Sequence, residues 1–401
     1  MVDRISTLQV YQTGVSSILQ RQADVSRTQE QLASGRRILS PSDDPSGAVR
    51  AQGLEEDLRQ IDQFQRNASL AEGQLALEDS TLGSVTQVLQ RVRELTVQAN
   101  NASLGPEERG SIAIELDSRL EELVSLANTR DANGEYIFAG FQARNTPFSV
   151  SAGAVSYAGD DGQRILDISA NAQVAVRDSG SRVFMGVPAG NGSFDFSVSG
   201  NQGTAVVSSA SADAGFVRDD YTVSFIQASP TDPVTYEVTD SAAAVVASGS
   251  YVSGETISFN GASLAVGGEP ADGDSIAIDS SARQSVFATV SAIADALRSA
   301  EGTPASDAEV NNAMASGLTN LDQALGSIVD VRAEVGTRLN RVESQQSINE
   351  DFNLQLSTSL SEVQDLDYAE AITRLNLQIT ALQAAQQTYV TTQRLSLFDY
   401  L

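Results

Sequence analysis

The sequence predicts an α+β protein in which the N- and C-terminal segments form a long helical, coiled-coil-like rod and a β-rich domain is inserted between them. Three observations support this class. Of 30 Gly, 16 lie between Thr146 and Ser281, and after Gly336 neither Gly nor Pro occurs. The segments on either side of this Gly-rich stretch repeat apolar residues every seven positions. The stretch itself alternates apolar and polar residues with period two, as strands do.

The two ends of the chain carry the same narrow apolar stripe. We predict terminal assembly segments at 1–45 and 365–401 that pair with each other. Gly35 is expected to end the first helix, because Gly readily takes the left-handed conformation found there. The candidate self-assembly residues are Leu8, Tyr11, Val15, Ile18, Val25 and Leu32 at one end, and Tyr368, Ile372, Leu375, Ile379, Leu382 and Tyr389 at the other.

The terminal stripes allow two interpretations. They could form an intersubunit coiled coil, or a helical hairpin within one chain. Each stripe is narrow and finds only the other terminus to pack against within its own chain. We therefore expect weak order at both ends of the isolated chain and a need for neighbouring subunits.

Longer helices are predicted between the ends and the insertion, at 46–145 and 282–364. Asp44 as the N-cap and Pro45 at the first helical position would start one of them. Another is expected to begin at Ser306, which together with Glu309 reads as a capping box. In the first of these segments an apolar residue recurs every seven positions from Leu54 to Leu89.

The inserted β-rich domain is predicted at 146–281, with strands at 221–227, 234–240, 256–260 and 275–279. It carries 16 acidic residues against 4 Arg. Asp160-Asp161-Gly162 and Asp272-Gly273-Asp274 sit among turn residues and lack the spacing of a calcium-binding loop, so turn formation explains them better than metal binding. Asn133-Gly134 predicts a tight turn before a short strand from Tyr136 to Ala139.

Composition excludes many functions. The chain has neither Cys nor His, and all 25 of its basic residues are Arg. This removes Ser/His/Asp and Cys/His nucleophiles, the usual zinc sites and Schiff-base chemistry. With 52 acidic residues and a net charge of −27, binding to nucleic acid or an anionic membrane is disfavoured. We therefore expect a protein that is not an enzyme and has no cofactor and no metal.

Local sequence indicates a family. The runs from Gln31 to Pro45 (QLASGRRILSPSDDP) and from Leu89 to Gln98 (LQRVRELTVQ) resemble conserved helical regions of bacterial flagellins. Within that family, the stretch from Ala127 to Gly140 (ANTRDANGEYIFAG) and the ending LSLFDYL are similar to the hook-associated protein 3 group of hook-filament junction proteins. The resemblance covers about 1–148 and 283–401.

This resemblance implies a structural adapter that joins the flagellar hook, through the other hook-associated junction protein, to flagellin. It implies a homo-oligomeric ring, a flagellar export chaperone as a partner, and an extracellular location reached without a cleaved signal peptide. It also makes Arg91, Arg93 and Glu94 candidates for intersubunit contacts, against the alternative of a solvated helix face. The functional alternatives are a flagellin filament subunit and a coiled-coil surface adhesin.

Overall fold

The computed structural model describes residues 7–101, 103–151, 153–229 and 231–394, in two compact units. One unit comprises the chain up to Arg66 and from Gln346 onward, and the other is Asn67–Gln345. The helices are α1 (Thr7–Ser34), α2 (Pro45–Ala99), α3 (Pro106–Ala127), α4 (Val286–Arg298), α5 (Pro304–Gln364) and α6 (Tyr368–Arg394). With strands between α3 and α4, the α+β prediction is confirmed. No helix in the described residues combines the length and the apolar character needed to cross a membrane.

Capping hydrogen bonds and a Pro at the first helical position set where α2 and α5 begin. The Asp44 carboxylate accepts a hydrogen bond from Gly47 N at 2.9 Å, which caps α2 in front of Pro45. That bond is the main reason why the pKa of Asp44 is lowered. At α5 the prediction of a start at Ser306 was wrong. The helix begins at Pro304, whose fixed φ suits the first helical position, and Thr303 Oγ1 accepts from Ser306 N at 3.2 Å.

Fourteen strands are described between Phe148 and Gln284. Their bounds are β1 (Phe148–Ser151), β2 (Ala154–Tyr157), β3 (Ile165–Ser169), β4 (Ala172–Ala175), β5 (Val187–Pro188), β6 (Phe194–Ser197), β7 (Val206–Ala212), β8 (Tyr221–Ile226), β9 (Thr235–Thr239), β10 (Val245–Ser250), β11 (Thr256–Phe259), β12 (Ala262–Gly267), β13 (Ser275–Ser280) and β14 (Arg283–Gln284).

Two sheets share one hydrophobic core, and we call residues 194–280 the two-sheet domain. One sheet has the order β10-β9-β8-β13-β6 and the other β11-β12-β7, all antiparallel. Strand β8 alternates buried and less buried residues, so that Tyr221, Val223 and Phe225 face this core. The period of two that predicted these strands thus follows from one face being buried.

A second core belongs to the helices. It contains α2 residues from Ala68 to Ala99, the inner faces of α3 and α4, and α5 residues up to Val342. The hairpins β1-β2 and β3-β4 contribute to this core, not to that of the two-sheet domain. Phe148 and Phe184 lie in contact with Phe287 of α4, with ring centroids 5.2 and 5.6 Å away. The strands of the predicted 146–281 insertion are therefore divided between two cores.

The loop after α3 differs from its prediction. Asn133-Gly134 forms the expected turn, with Gly134 at φ +78°, and the Asp131 carboxylate accepts from Asn133 N and Glu135 N, both at 2.9 Å. The predicted strand from Tyr136 to Ala139 is absent from this described loop, which has a single bridge between Arg130 and Tyr136. The guanidinium of Arg130 lies 4.3 Å above the Tyr136 ring, and Tyr136 N donates to Ala143 O at 2.7 Å. Side-chain packing and loop hydrogen bonds therefore hold this segment without a strand ladder.

Candidate assembly surface

The terminal helices α1 and α6 lie antiparallel. Thr28 Oγ1 donates to Gln378 Oε1 at 2.8 Å, and near the far end the rings of Tyr11 and Tyr389 meet edge to face at 5.7 Å. Gly14 permits this approach, because a Cβ there would lie 2.9 Å from the Tyr389 ring. Small side chains on both helices line an open groove beside this tyrosine pair, with a volume of about 450 Å³.

Backbone hydrogen bonds fix the other end of this helix pair. Arg37 N donates to Gln364 O at 2.8 Å, and Leu366 N donates to Gly35 O at 3.0 Å. Gly35 has φ +72°, which allows the chain to turn out of α1 as the sequence predicted. The start of α2 and the end of α5 continue the unit, with Asn353 Nδ2 donating to Asp62 Oδ1 at 2.9 Å. The terminal helices α1 and α6 thus belong to one unit.

The candidate self-assembly residues fall into three groups by exposure. Val25 is buried, at 9% exposed. The partly covered residues are Ile18, Leu32, Leu375, Ile379, Leu382 and Tyr389, and the exposed ones are Tyr11, Val15, Tyr368 and Ile372. Leu8 lies in the first turn of α1, and its side chain is outside the described part of the structure. The pairing of α1 with α6 therefore covers these apolar residues incompletely.

The sequence analysis missed several exposed apolar residues in this unit. Leu19 of α1 is 60% exposed and Leu377 of α6 is 68% exposed, and both fall outside the two heptad columns. Ile348, Phe352 and Leu354 of α5 are 43%, 51% and 69% exposed. A search for apolar residues outside the heptad columns would have found them. The apolar surface of these helices is therefore wider than the predicted stripes.

Comparison with known proteins decides the family. The model of the bacterial flagellin N-terminal helical region matches residues 5–143, and that of the C-terminal helical region matches 318–401. The crystal structure of FlgL from Xanthomonas campestris is 35% identical in sequence, with a TM-score of 0.72 over 77% of this chain and 99% of that one. The flagellar hook-associated protein-3 of Legionella pneumophila is 32% identical, with a TM-score of 0.75 over 78% and 98%.

The chain belongs to the flagellar hook-associated protein 3 family. Flagellar hook-associated protein 3 of Escherichia coli K12 is 27% identical over 401 residues, which is 99% of either chain. The family is a structural component of the flagellum, so a structural role and a flagellar location follow for this member. The final stretch LSLFDYL, which contributed to the resemblance, lies outside the described residues.

The candidate intersubunit residues of this family member make ion pairs inside the chain. Arg91 contacts Glu115 of α3 at 2.9 Å and Glu94 at 3.1 Å, and Arg93 contacts Asp322 of α5 at 2.7 Å. The hydrogen bond to Glu115 is the largest cause of the raised pKa of Arg91. All three candidates remain about half exposed or more. These contacts tie α2 to its neighbours, and a role between subunits stays a prediction.

The carboxylates of the two acidic clusters accept hydrogen bonds from backbone N–H groups. Asp160 Oδ1 accepts from Phe141 N and Gly162 N, both at 2.8 Å, and these bonds lower its pKa. The buried Asp274 carboxylate accepts from Gln202 N, Gly203 N and Ala271 N at 2.8 to 2.9 Å. Among the described residues no group of three or more acidic side chains is placed to hold a metal ion. The carboxylates of both clusters therefore bind backbone N–H groups, partly in their own turns and partly in loops that are distant in sequence.

A buried charge cluster joins α2 and α5 to the segment before β5. Glu78 of α2 is 1% exposed, and its Oε1 accepts from Asp178 N at 3.0 Å. Its Oε2 has no hydrogen-bond partner among the described residues. The fully buried Asp178 accepts from Arg182 at 3.0 Å and from Arg338 of α5 at 2.8 Å. Burial first, and the Asp178 charge second, raise the pKa of Glu78 to about 8.

Proposed function

We propose that this chain is a non-enzymatic adapter that assembles into a homo-oligomeric ring between the hook and the filament. One face of the ring would contact the other hook-associated junction protein, and the opposite face would contact flagellin. The observation that carries the proposal is the apolar surface left uncovered by the α1-α6 pair. Membership of the flagellar hook-associated protein 3 family supports the same role.

Burial of that surface against a neighbouring subunit contributes favourably to self-association. The exposed apolar side chains include Tyr11, Val15, Leu19, Ile372 and Leu377. Burying a fully exposed side chain of this kind contributes about 1.5 to 3 kcal/mol, and these five are between 40% and 68% exposed, so covering what remains of all five would contribute roughly 4 to 8 kcal/mol before the cost of association. An open groove beside Gly14 offers space for a side chain from a neighbour. Tyr11, Val15 and Leu19 are spaced by four residues and so form one row on α1, and exposed apolar residues that adjoin one another are typical of an interaction site.

The remaining parts of the proposal rest on the family resemblance, and the same surface and the composition agree with them. Before assembly, an export chaperone would cover the C-terminal stripe, because its apolar residues would otherwise be exposed inside the cell. The chain would then be exported and act outside the cell. The absence of Cys suits a protein that folds after export without disulfides. An adapter of this kind needs neither a cofactor nor a catalytic group.

The test is complementation of a strain that lacks the gene. The deletion strain should make hooks without filaments and release flagellin into the medium. The variant Leu375→Asp with Leu382→Asp places two charges in the partly covered stripe of α6, and it should fail to restore filaments although it is exported. Its matched control is Asn376→Asp with Gln383→Asp, which adds the same charges with the same spacing at exposed polar positions of α6. The control should restore swimming.

Two outcomes would contradict the proposal. Full filaments on the deletion strain would remove the adapter role. Incorporation of the protein along the whole filament, detected by labelled antibody, would instead favour a filament subunit, the alternative suggested by the match to flagellin helical regions. A label confined to the base of the filament is the result expected for a junction ring.

A further inference from the structure

One face of α5 presents polar residues to the two-sheet domain. Asn312, Ser316 and Asn320 are spaced by four residues and therefore lie on the same side of the helix. Asn312 is 2% exposed and Asn320 is 7% exposed, which is unusual burial for amides on a helix surface. Buried amides are expensive unless they are hydrogen-bonded, so their partners indicate what they do.

Asn312 takes the place of a neighbouring strand at one edge of the domain. Strand β7 pairs with β12 on one side and ends the three-stranded sheet on the other. At that open edge Val207 N donates to Asn312 Oδ1 at 2.8 Å, and Asn312 Nδ2 donates to Ala205 O at 2.8 Å. One carboxamide thus satisfies a donor and an acceptor that a further strand would otherwise pair.

Asn320, two turns further along, holds the chain segments that enter and leave the domain. Its Oδ1 accepts from Gly190 N at 2.5 Å and from Gln284 Nε2 at 2.6 Å. Between these two amides, Ser316 Oγ donates to Asp195 Oδ1 at 3.0 Å. Gly190 lies between β5 and β6, and Gln284 is the last residue of β14, so Asn320 contacts both segments that connect the domain to the rest of the chain.

Apolar packing between α5 and the domain is slight. Among the described helix residues, Ala315 is the one that packs against the domain core. A cavity of about 340 Å³ separates β6 from α4 and α5, with Phe196, Val198 and Ile293 in its walls. Because nondirectional apolar contact is scarce here, directional hydrogen bonds must orient the domain. Besides the bonds described above, Gly200 N donates to Glu309 Oε1 of α5 at 3.1 Å, but that bond is exposed, whereas those of the two amides are buried or partly buried.

We propose that Asn312 and Asn320 are positioning residues that hold the two-sheet domain in one fixed orientation on α5. Without them the domain would remain attached through the β5-β14 ribbon but could rotate about it. The domain would then be a rigid part of the subunit and not a loosely tethered decoration. This inference concerns one subunit and does not depend on the assembly proposed above.

The test measures a distance between spin labels on the domain and on the helices. Because the chain has no Cys, Ser248→Cys on β10 and Ser118→Cys on α3 give two unique labelling sites, both exposed. We expect one narrow distance distribution in the otherwise unchanged chain. The double variant Asn312→Ala with Asn320→Ala should broaden this distance distribution about twofold or more. The reason is that the two-sheet domain loses the hydrogen bonds that hold it on α5. Asn340→Ala, at an exposed position of the same helix, is the matched control and should leave the distribution unchanged.

Hydrogen exchange of β8 and β13 separates rotation from unfolding of the domain. Protection of these central strands should be retained in the double variant. If this protection is lost, the test uses the single variant Asn320→Ala, in which Asn312 still binds the edge of β7. This single variant is expected to broaden the distance distribution on its own. An unchanged narrow distribution in a folded variant lacking Asn320 would overturn the proposal.

Discussion

Replacement of Glu78 by Gln should make the protein more stable in alkaline solution. The pKa of Glu78 is raised from 4.5 to about 8 in the folded protein, chiefly by burial and next by Asp178. At a pH between 4.5 and about 8, the Glu78 carboxyl is protonated in the folded protein and ionised in the unfolded chain. Stability from this group is therefore fully present below about pH 4.5, falls as pH rises, and is lost once pH passes through 8.

The magnitude follows from the size of the shift. Each unit is worth about 1.4 kcal/mol, so the free energy of unfolding should decrease by on the order of 4 kcal/mol between pH 5 and pH 9 because of Glu78. Gln cannot ionise and retains an oxygen that can accept from Asp178 N. At about 2 °C per kcal/mol for a unit of this size, Glu78→Gln should melt roughly 5 to 10 °C higher than the unchanged protein at pH 9, relative to their difference at pH 5.

The assay is thermal unfolding followed by circular dichroism from pH 5 to pH 9. The comparison cancels every other titrating group, because both proteins carry them. Glu121→Gln, at an exposed position of α3, removes a charge of the same kind and should track the unchanged protein at all pH values. Parallel pH profiles for Glu78→Gln and the unchanged protein would refute the argument, because they would show that Glu78 is ionised in the folded state at neutral pH.

Three further predictions concern other parts of the fold. Asp274→Ala should destabilise the two-sheet domain by about 1 to 3 kcal/mol in urea unfolding, because three backbone N–H groups lose the buried carboxylate that accepts from them. Asp272→Ala, at an exposed position, should cost less than about 1 kcal/mol. Replacing 194–280 by a short linker should leave filaments attached. Replacing 146–281 should instead prevent folding, because Phe148 and Phe184 belong to the helical core. Equal motility of the two strains would contradict the assignment of these strands to two separate cores. Limited proteolysis of the purified monomer should trim both ends before the helical core, and ends that resist protease as well as that core would contradict the expected weak order.

The helical elements could be predicted from sequence because their signals are local. Asp44 before Pro45 starts α2, Gly35 ends α1, and the heptad spacing identifies which side of each helix is apolar. The strands β8, β9, β11 and β13 were also found within one residue at each end, because a half-buried sheet imposes a period of two on its own sequence. The family resemblance likewise rests on short continuous motifs.

Contacts between residues that are distant in sequence could not be predicted and became visible only in the tertiary structure. The residues near Glu78 in sequence do not predict its contacts with Asp178 and Arg338, because these two lie one hundred residues and more away along the chain. The division of the strands between two cores has the same origin, because β1 and β8 show similar local patterns and differ in what covers them. Exposure at Leu19 and Leu377 likewise depends on how α1 and α6 pair. The sequence by itself determined the long helices, four strands of the two-sheet domain, the composition limits and the family, because these depend on neighbouring residues. Burial, ion pairing and the partners of Asn312 were decided by packing that brings remote segments together.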